Sequence, residues 1–284
     1  MATPVNLEQN PASTFTSGAE QQKIVIKNNR GEKLVGLLHE TGSKEIVILC
    51  HGFPATKEYN MMVELASALE KQGISAFRFD FSGNGESEGL LEFGSFRKEV
   101  DDLHAVVQHF TSTNRDVGAI IGHSKGANVV VLYASLHYDV PTIINLSRSY
   151  KMDTGVEERL GKDYLERVKK DGFIDIKPHT GEVPYRVTEE SLMEQLNTNM
   201  HEAWLKIDPD CRVLTVHGSA DEMIPVEDAL EFAKIIPNIE LRIIEGANHC
   251  YDNHRDKLVS IVLDFIKAEM HGVTTVIEEP VPIV

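Results

Sequence analysis

Val117-Gly118-Ala119-Ile120-Ile121-Gly122-His123-Ser124-Lys125-Gly126-Ala127-Asn128-Val129-Val130-Val131 is the stretch that decides the fold. A short apolar run leads into Gly-x-Ser-x-Gly, and apolar residues at helical spacing follow. The pattern predicts a strand over Val117–Ile121 and a helix over Gly126–His137. The five-residue motif alone arises often by chance; its place between strand and helix gives it mechanical meaning. Such a turn forces its central residue into a strained backbone, and the small Gly122 and Gly126 let strand and helix approach each other. The bland alternative is a surface serine in a glycine-rich turn.

Outward from this turn, strand and helix alternate. Towards the N-terminus, helices are expected over Met61–Gln72 and Phe96–Phe110, and strands over Glu45–Cys50 and Ile74–Phe79. Towards the C-terminus, strands are expected over Thr142–Leu146, Arg212–His217 and Glu240–Ile244, and helices over Val226–Ile235 and Arg255–Met270. The alternation implies right-handed crossovers, hence an α/β fold with a mostly parallel twisted sheet and helices on both faces. Lys23–Lys27 and Lys33–His39, joined by the turn signal Asn28-Asn29-Arg30-Gly31, read as an opening antiparallel hairpin.

Residues 148–210 break the rhythm. They are charged, contain the turn signals KKDG and HTGEVP, and offer two helical candidates, Val156–Lys170 and Thr188–Leu205. Because central strands are expected on both sides, this stretch reads as an insertion above the sheet. The core is then residues 21–147 and 211–270. Residues 1–20 and 271–284 are expected to be loose tails.

Composition narrows the function. With 42% hydrophobic and 25% charged residues the 284-residue chain is of ordinary globular composition, ample for one large domain. A formal charge of −16 without a Lys/Arg cluster argues against nucleic acid and anionic lipid as partners. The absence of a signal-peptide pattern and of a long apolar run suggests a cytoplasmic protein with no membrane association. Cys50, Cys211 and Cys250 lack CxxC spacing and do not suggest a disulfide framework. No Walker A or HExxH motif or other metal-ligand cluster occurs, so neither metal nor cofactor is expected. Gly83, Gly85 and Gly89 miss the dinucleotide pattern by one position, and the loop Asp80–Ser87 reads as a tight turn in which Asp80 accepts backbone N–H bonds.

A serine hydroxyl becomes a useful nucleophile when a base takes its proton and a third group fixes the tautomer of that base. Of twelve histidines, His249 follows directly on a strand, in Glu245-Gly246-Ala247-Asn248-His249-Cys250. Asp221 holds the same kind of place in His217-Gly218-Ser219-Ala220-Asp221. Ligands bind at the carboxyl ends of parallel strands, where Ser124, Asp221 and His249 converge. Glu222, by proximity, and Asp80, at a strand end, are rivals for the acid; Asp221 completes the chain order Ser, acid, His. Acyl transfer also needs two N–H donors at the developing oxyanion, worth about 3 kcal/mol each. The candidates are the backbone N–H of Lys125, after the serine, and of Phe53, in His51-Gly52-Phe53-Pro54.

At HGFPATK, the run Arg78–Gly89, GHSKG, HGSADEMIP and EGANHCY, the sequence resembles the α/β-hydrolase superfamily over about Lys23 to Met270. It looks most like the cinnamoyl/feruloyl esterase branch, with monoacylglycerol lipases and serine aminopeptidases as cousins. The resemblance implies the α/β-hydrolase fold, a Ser124–Asp221–His249 triad, Phe53 and Lys125 as oxyanion donors, and a small lid between the sixth and seventh strands. It implies a serine esterase acting on small-molecule esters with small or aromatic acyl groups. A peptidase, lyase, acyltransferase or weakly catalytic receptor could use the same residues. One departure is Lys125, where these esterases more often carry Gln or another uncharged residue. Within the expected lid, Leu192, Leu196, Met200 and Trp204 recur every four residues, either packing on Val156, Leu160 and Tyr164 or forming a pocket wall. Met200 and Trp204 are the substrate-binding candidates. The sequence does not specify the oligomeric state.

Overall fold

Two runs in which nearly every side chain is buried, in Glu45–Cys50 and Ser75–Phe79, are too apolar to face water on either side and lie inside the sheet. The computed structural model describes residues 21–177, 184–234 and 239–270. In chain order the strands are β1 (Gln22–Lys27), β2 (Lys33–His39), β3 (Glu45–Cys50), β4 (Ser75–Phe79), β5 (Asp116–His123), β6 (Thr142–Leu146), β7 (Phe173–Ile176), β8 (Tyr185–Thr188), β9 (Arg212–Gly218) and β10 (Ile239–Ile244). Eight of them form one sheet in the order β1-β2-β4-β3-β5-β6-β9-β10, in which β2 runs antiparallel to both neighbours and all other pairings are parallel.

The helices are α1 (Asn60–Lys71), α2 (Phe96–Ser112), α3 (Lys125–His137), α4 (Val156–Leu160), α5 (Tyr164–Asp171), α6 (Glu189–Asn197), α7 (Met200–Leu205), α8 (Val226–Ala233) and α9 (Arg255–Met270). Alternation along β3 sends Ile46, Ile48 and Cys50 into the core shared with α2 and α3, and Val47 and Leu49 into the core under α1 and α9. The sheet is thus covered on both faces, and the carboxyl ends of β3, β5, β9 and β10 meet along one edge. No helix of the described residues is long and apolar enough to cross a membrane.

Between β6 and β9 the outcome differs from the two long helices expected. Val156–Lys170 is interrupted at Gly161, whose φ of 90° ends α4. Thr188–Leu205 is interrupted at Thr198, whose extended backbone ends α6; the Asn199 side chain then accepts the Glu202 N–H at 3.1 Å to start α7. Between the pairs lies an unexpected antiparallel hairpin of β7 and β8. Phe93, Val156, Leu160, Val168, Ile174, Tyr185, Val187 and Leu192 form a small core of their own. The expected tails 1–20 and 271–284, most of HTGEVP and the end of the expected helix at Ile235 lie outside the described residues.

Candidate active site

Strand β5 runs directly into Ser124, and α3 begins at the next residue. Ser124 has φ 54° and ψ −120°, outside the comfortable regions for a side-chain-bearing residue. The neighbours that hold it there cannot be enlarged. A Cβ on Gly122 would stand 2.3 Å from the Gly126 carbonyl oxygen, and one on Gly126 would stand 2.4 Å from that of His51. The Ser124 N–H donates to Leu146 O at 2.9 Å, tying the turn to β6.

The loops after β9 and β10 bring Asp221 and His249 to this point. The Ser124 hydroxyl lies 3.0 Å from His249 Nε2, and His249 Nδ1 lies 2.9 and 3.1 Å from the Asp221 carboxylate oxygens. Asp221 Oδ1 also accepts the N–H groups of Met223 at 2.9 Å and Ile224 at 2.8 Å. Burial works against the Asp221 charge, but the His249 hydrogen bond and these two donors outweigh it and hold the carboxyl below its usual range. An ionised Asp221 keeps the proton on His249 Nδ1, which leaves Nε2 free to accept from the hydroxyl.

A surrounding frame fixes these side chains. His123 Nε2 donates to His249 O at 3.0 Å, and burial next to the His249 ring drives the His123 pKa down to about 3. His217 Nε2 donates to Ile224 O at 2.9 Å and lies 3.4 Å from Asp221 Oδ2. Tyr251 joins Ser147 Oγ and Val216 O through its hydroxyl, at 2.9 Å each. Sequence reasoning did not select Tyr251; its one signal was its position two residues after His249.

Neither rival acid is placed to orient His249. Asp80 is fully buried and accepts the Lys57 N–H and Nζ at 2.7 Å each and the Glu86 N–H at 2.9 Å, so it closes the glycine-rich loop. Glu222 reaches only the backbone N–H of His249, at 3.4 Å.

Ser124 stands between two cavities. The larger, about 580 Å³, is lined by Lys125, Phe93, Phe96, Met152, Gln195 and Glu222 among others. The smaller, about 410 Å³, is lined by His249, Cys250, Tyr59, Tyr185, Ile176 and Pro54 among others. Phe53, Ser124, Arg159 and Met223 border both. Lys125 opens α3, so its N–H belongs to the first-turn donors that lack intrahelical acceptors. Its side chain turns to the buried Glu99 carboxylate at 2.7 Å and lies over the Phe53 and Phe96 rings, 5.3 and 5.4 Å from their centroids. This pairing was not legible in sequence, because the partner comes from α2.

The structure does not bring Met200 and Trp204 to either cavity beside Ser124. They are 1% and 2% exposed and belong to the main core, where α7 packs on α3. The Arg148 guanidinium covers the Trp204 ring at 5.0 Å. The four-residue stripe is divided by the break at Thr198, so Leu192 and Leu196 join the small core while Met200 and Trp204 join the large one. Among the described residues no group of three or more His, Cys, Asp or Glu is arranged to hold a metal ion.

The profile of the family Hydrolase_4, serine aminopeptidase, S33, matches residues 41–188, just over half of the chain. No curated protein is significantly similar. Among solved structures, Est1E from Butyrivibrio proteoclasticus with ferulic acid bound is 24% identical, with a TM-score of 0.76 over 87% of this chain and 99% of that one. The α/β-hydrolase GrgF from Penicillium sp. sh18 is 20% identical, with a TM-score of 0.74 over 89% of this chain and 99% of that one. The Pyrococcus furiosus esterase Pf2001 is 23% identical, with a TM-score of 0.67 over 87% of this chain and 90% of that one. At such identities the likeness establishes the fold.

Proposed function

The chain belongs to the serine aminopeptidase S33 family of α/β-hydrolases, and from that premise we propose that it is a serine esterase that hydrolyses carboxylic esters through an acyl-enzyme on Ser124. The observation that carries this reading is the unbroken hydrogen-bonded chain from Ser124 through His249 to Asp221, on a turn whose flanking glycines have no room for a side chain.

In this mechanism Ser124 Oγ attacks the ester carbonyl while His249 Nε2 takes its proton. The N–H groups of Phe53 and Lys125 receive the oxyanion, a contribution of about 3 kcal/mol each. Asp221 stabilises the imidazolium. Collapse of the intermediate breaks the C–O bond, and His249 returns the proton to the departing alkoxide. A water then repeats the sequence with His249 as base, releasing the acid and restoring the serine.

The leaving oxygen must lie near His249 Nε2 to receive its proton. The smaller cavity, which His249 lines, is therefore the alcohol side, and the larger cavity is the acyl side. Phe53, Phe93, Phe96 and Met152 around the latter favour small or aromatic acyl groups of the cinnamoyl kind. Segment 148–210 acts as a lid, since Met152, Thr154, Glu158, Arg159 and Gln195 supply much of that wall.

A fluorophosphonate probe and a panel of p-nitrophenyl, feruloyl and aminoacyl substrates test the proposal. Wild type is expected to be labelled and to cleave the esters fastest, and Ser124→Ala to lose both properties while keeping its fold. Ester turnover by Ser124→Ala within tenfold of wild type would remove Ser124 as nucleophile. Faster cleavage of the aminoacyl substrates would make the enzyme a peptidase.

A further inference from the structure

The larger cavity contains a charge that ester chemistry does not call for. Lys125 and Glu99 are 9% and 8% exposed along their side chains, and their ammonium–carboxylate distance is 2.7 Å. Burial pushes the Glu99 carboxyl up, and the neighbouring Lys125 offsets that only in part. A buried pair of this kind is often no more stabilising than an apolar pair of the same volume, so its presence at a binding surface calls for another role.

The ammonium carries three N–H donors. Among the described residues, Glu99 Oε1 at 2.7 Å and the Glu92 carbonyl at 3.4 Å take two of them. The side chain borders the cavity between Phe53 and Phe96, whose rings also border it. The amide groups nearby serve the protein itself. Asn128 Nδ2 donates to Ser149 O at 3.0 Å and to Met152 Sδ at 3.2 Å, and Gln195 Nε2 donates to Met152 O at 2.8 Å.

We propose that Lys125, held by Glu99, is the acyl-specificity element of this site: its third N–H donates to an oxygen carried by an uncharged acyl chain. Hydroxy-, oxo- or ether-bearing acyl groups are then preferred over alkyl groups of the same length. A carboxylate on the acyl chain is not favoured, because it would compete with Glu99 for the same ammonium and lie beside a buried negative charge. The charges bordering the cavity also balance once Glu99 is included: Lys125, Lys151 and Arg159 against Glu99, Glu158 and Glu222. The inference rests on the assignment of the larger cavity to the acyl group.

The test compares p-nitrophenyl heptanoate with its analogues carrying an ether oxygen at chain position 4, 5 or 6, and with the p-nitrophenyl half-ester of adipate. Each kcat/KM is divided by the substrate's own hydroxide-catalysed rate, which removes inductive effects. Wild type is expected to favour one ether position over heptanoate by roughly tenfold to a hundredfold, the worth of a hydrogen bond from a charged donor. The adipate half-ester is expected to fall below that ether. In Lys125→Met/Glu99→Gln, which removes both charges and keeps the backbone N–H of residue 125, the ether preference is expected to fall to within twofold of unity.

A wild-type ratio near one at every position overturns the proposal without any variant, whether or not the double variant folds. An unchanged ratio in the folded double variant, or preference for the adipate half-ester over every ether, also overturns it. Phosphonate labelling of Ser124 separates the two levels: labelling with a flat ratio refutes only the Lys125 assignment. Absence of both labelling and ester cleavage refutes the esterase reading and this inference with it.

Discussion

Replacing Asp221 by Asn changes one atom, and the structure specifies which way the new amide will face. Asp221 Oδ1 accepts two backbone N–H groups, from Met223 at 2.9 Å and Ile224 at 2.8 Å, so the amide oxygen must occupy that position. The NH2 group then takes the place of Oδ2, 2.9 Å from His249 Nδ1, and turns that nitrogen from donor into acceptor. The imidazole proton moves to Nε2, which faces Ser124 Oγ at 3.0 Å and can no longer accept the hydroxyl proton. Loss of the base in this way lowers kcat by about ten-thousand-fold in the serine-protease template, equivalent to about 5 kcal/mol in the barrier. The assay is steady-state hydrolysis of p-nitrophenyl acetate, with circular dichroism to establish that the variant is folded. Activity of Asp221→Asn within tenfold of wild type would refute the reasoning, as would a comparable loss in Glu222→Gln, for which less than a threefold change is expected.

Trp204→Ala is expected to cost about 3–5 kcal/mol in urea unfolding and to leave the ranking of acyl groups within twofold, because the side chain is core; a fivefold change in ranking at unchanged stability would return it to the substrate wall. His51 and His123 are buried with pKa values lowered to about 4 and about 3, below an unfolded value near 6.5. The unfolded chain therefore binds more protons, and each histidine should withdraw up to about 1.4 kcal/mol of stability per pH unit as the pH falls from about 6.5 towards its folded value. Urea midpoints measured between pH 7 and 5 check this, and a stability that rises on acidification would contradict the buried, neutral state of both rings.

What could be read in the sequence was what local pattern determines. The apolar run before Gly122 and the glycines around Ser124 indicated strand, turn and helix because the backbone of that turn tolerates little else. Asp221 and His249 could be placed because each follows a strand whose end lies at a common edge. The segment between β6 and β9 was less legible for the same physical reason. Gly161 and Thr198 interrupt helical periodicity without destroying it, so residues four apart continue to look like one stripe across a break. Nor does periodicity say which of two cores a buried residue joins, and Met200 and Trp204 went to the one under α3. The Lys125–Glu99 pair, separated by 26 positions, needed the packing of α2 on α3 to become visible.

The division between the two cores also sets a rule for building chimaeras. Segment 148–210 looks like a cassette, but its last helix, α7, is part of the foundation. A graft that exchanged the whole segment would replace Met200, Ala203 and Trp204 under α3 with donor residues not fitted to the host's α3. A graft ending before Asn199 would carry every buried residue of the small core except Phe93 and keep the host's own α7. Its remaining aromatic seam would be Phe53 and Phe93, whose rings meet Tyr185 at 4.9 and 6.2 Å, so donor and host would have to be matched at both contacts.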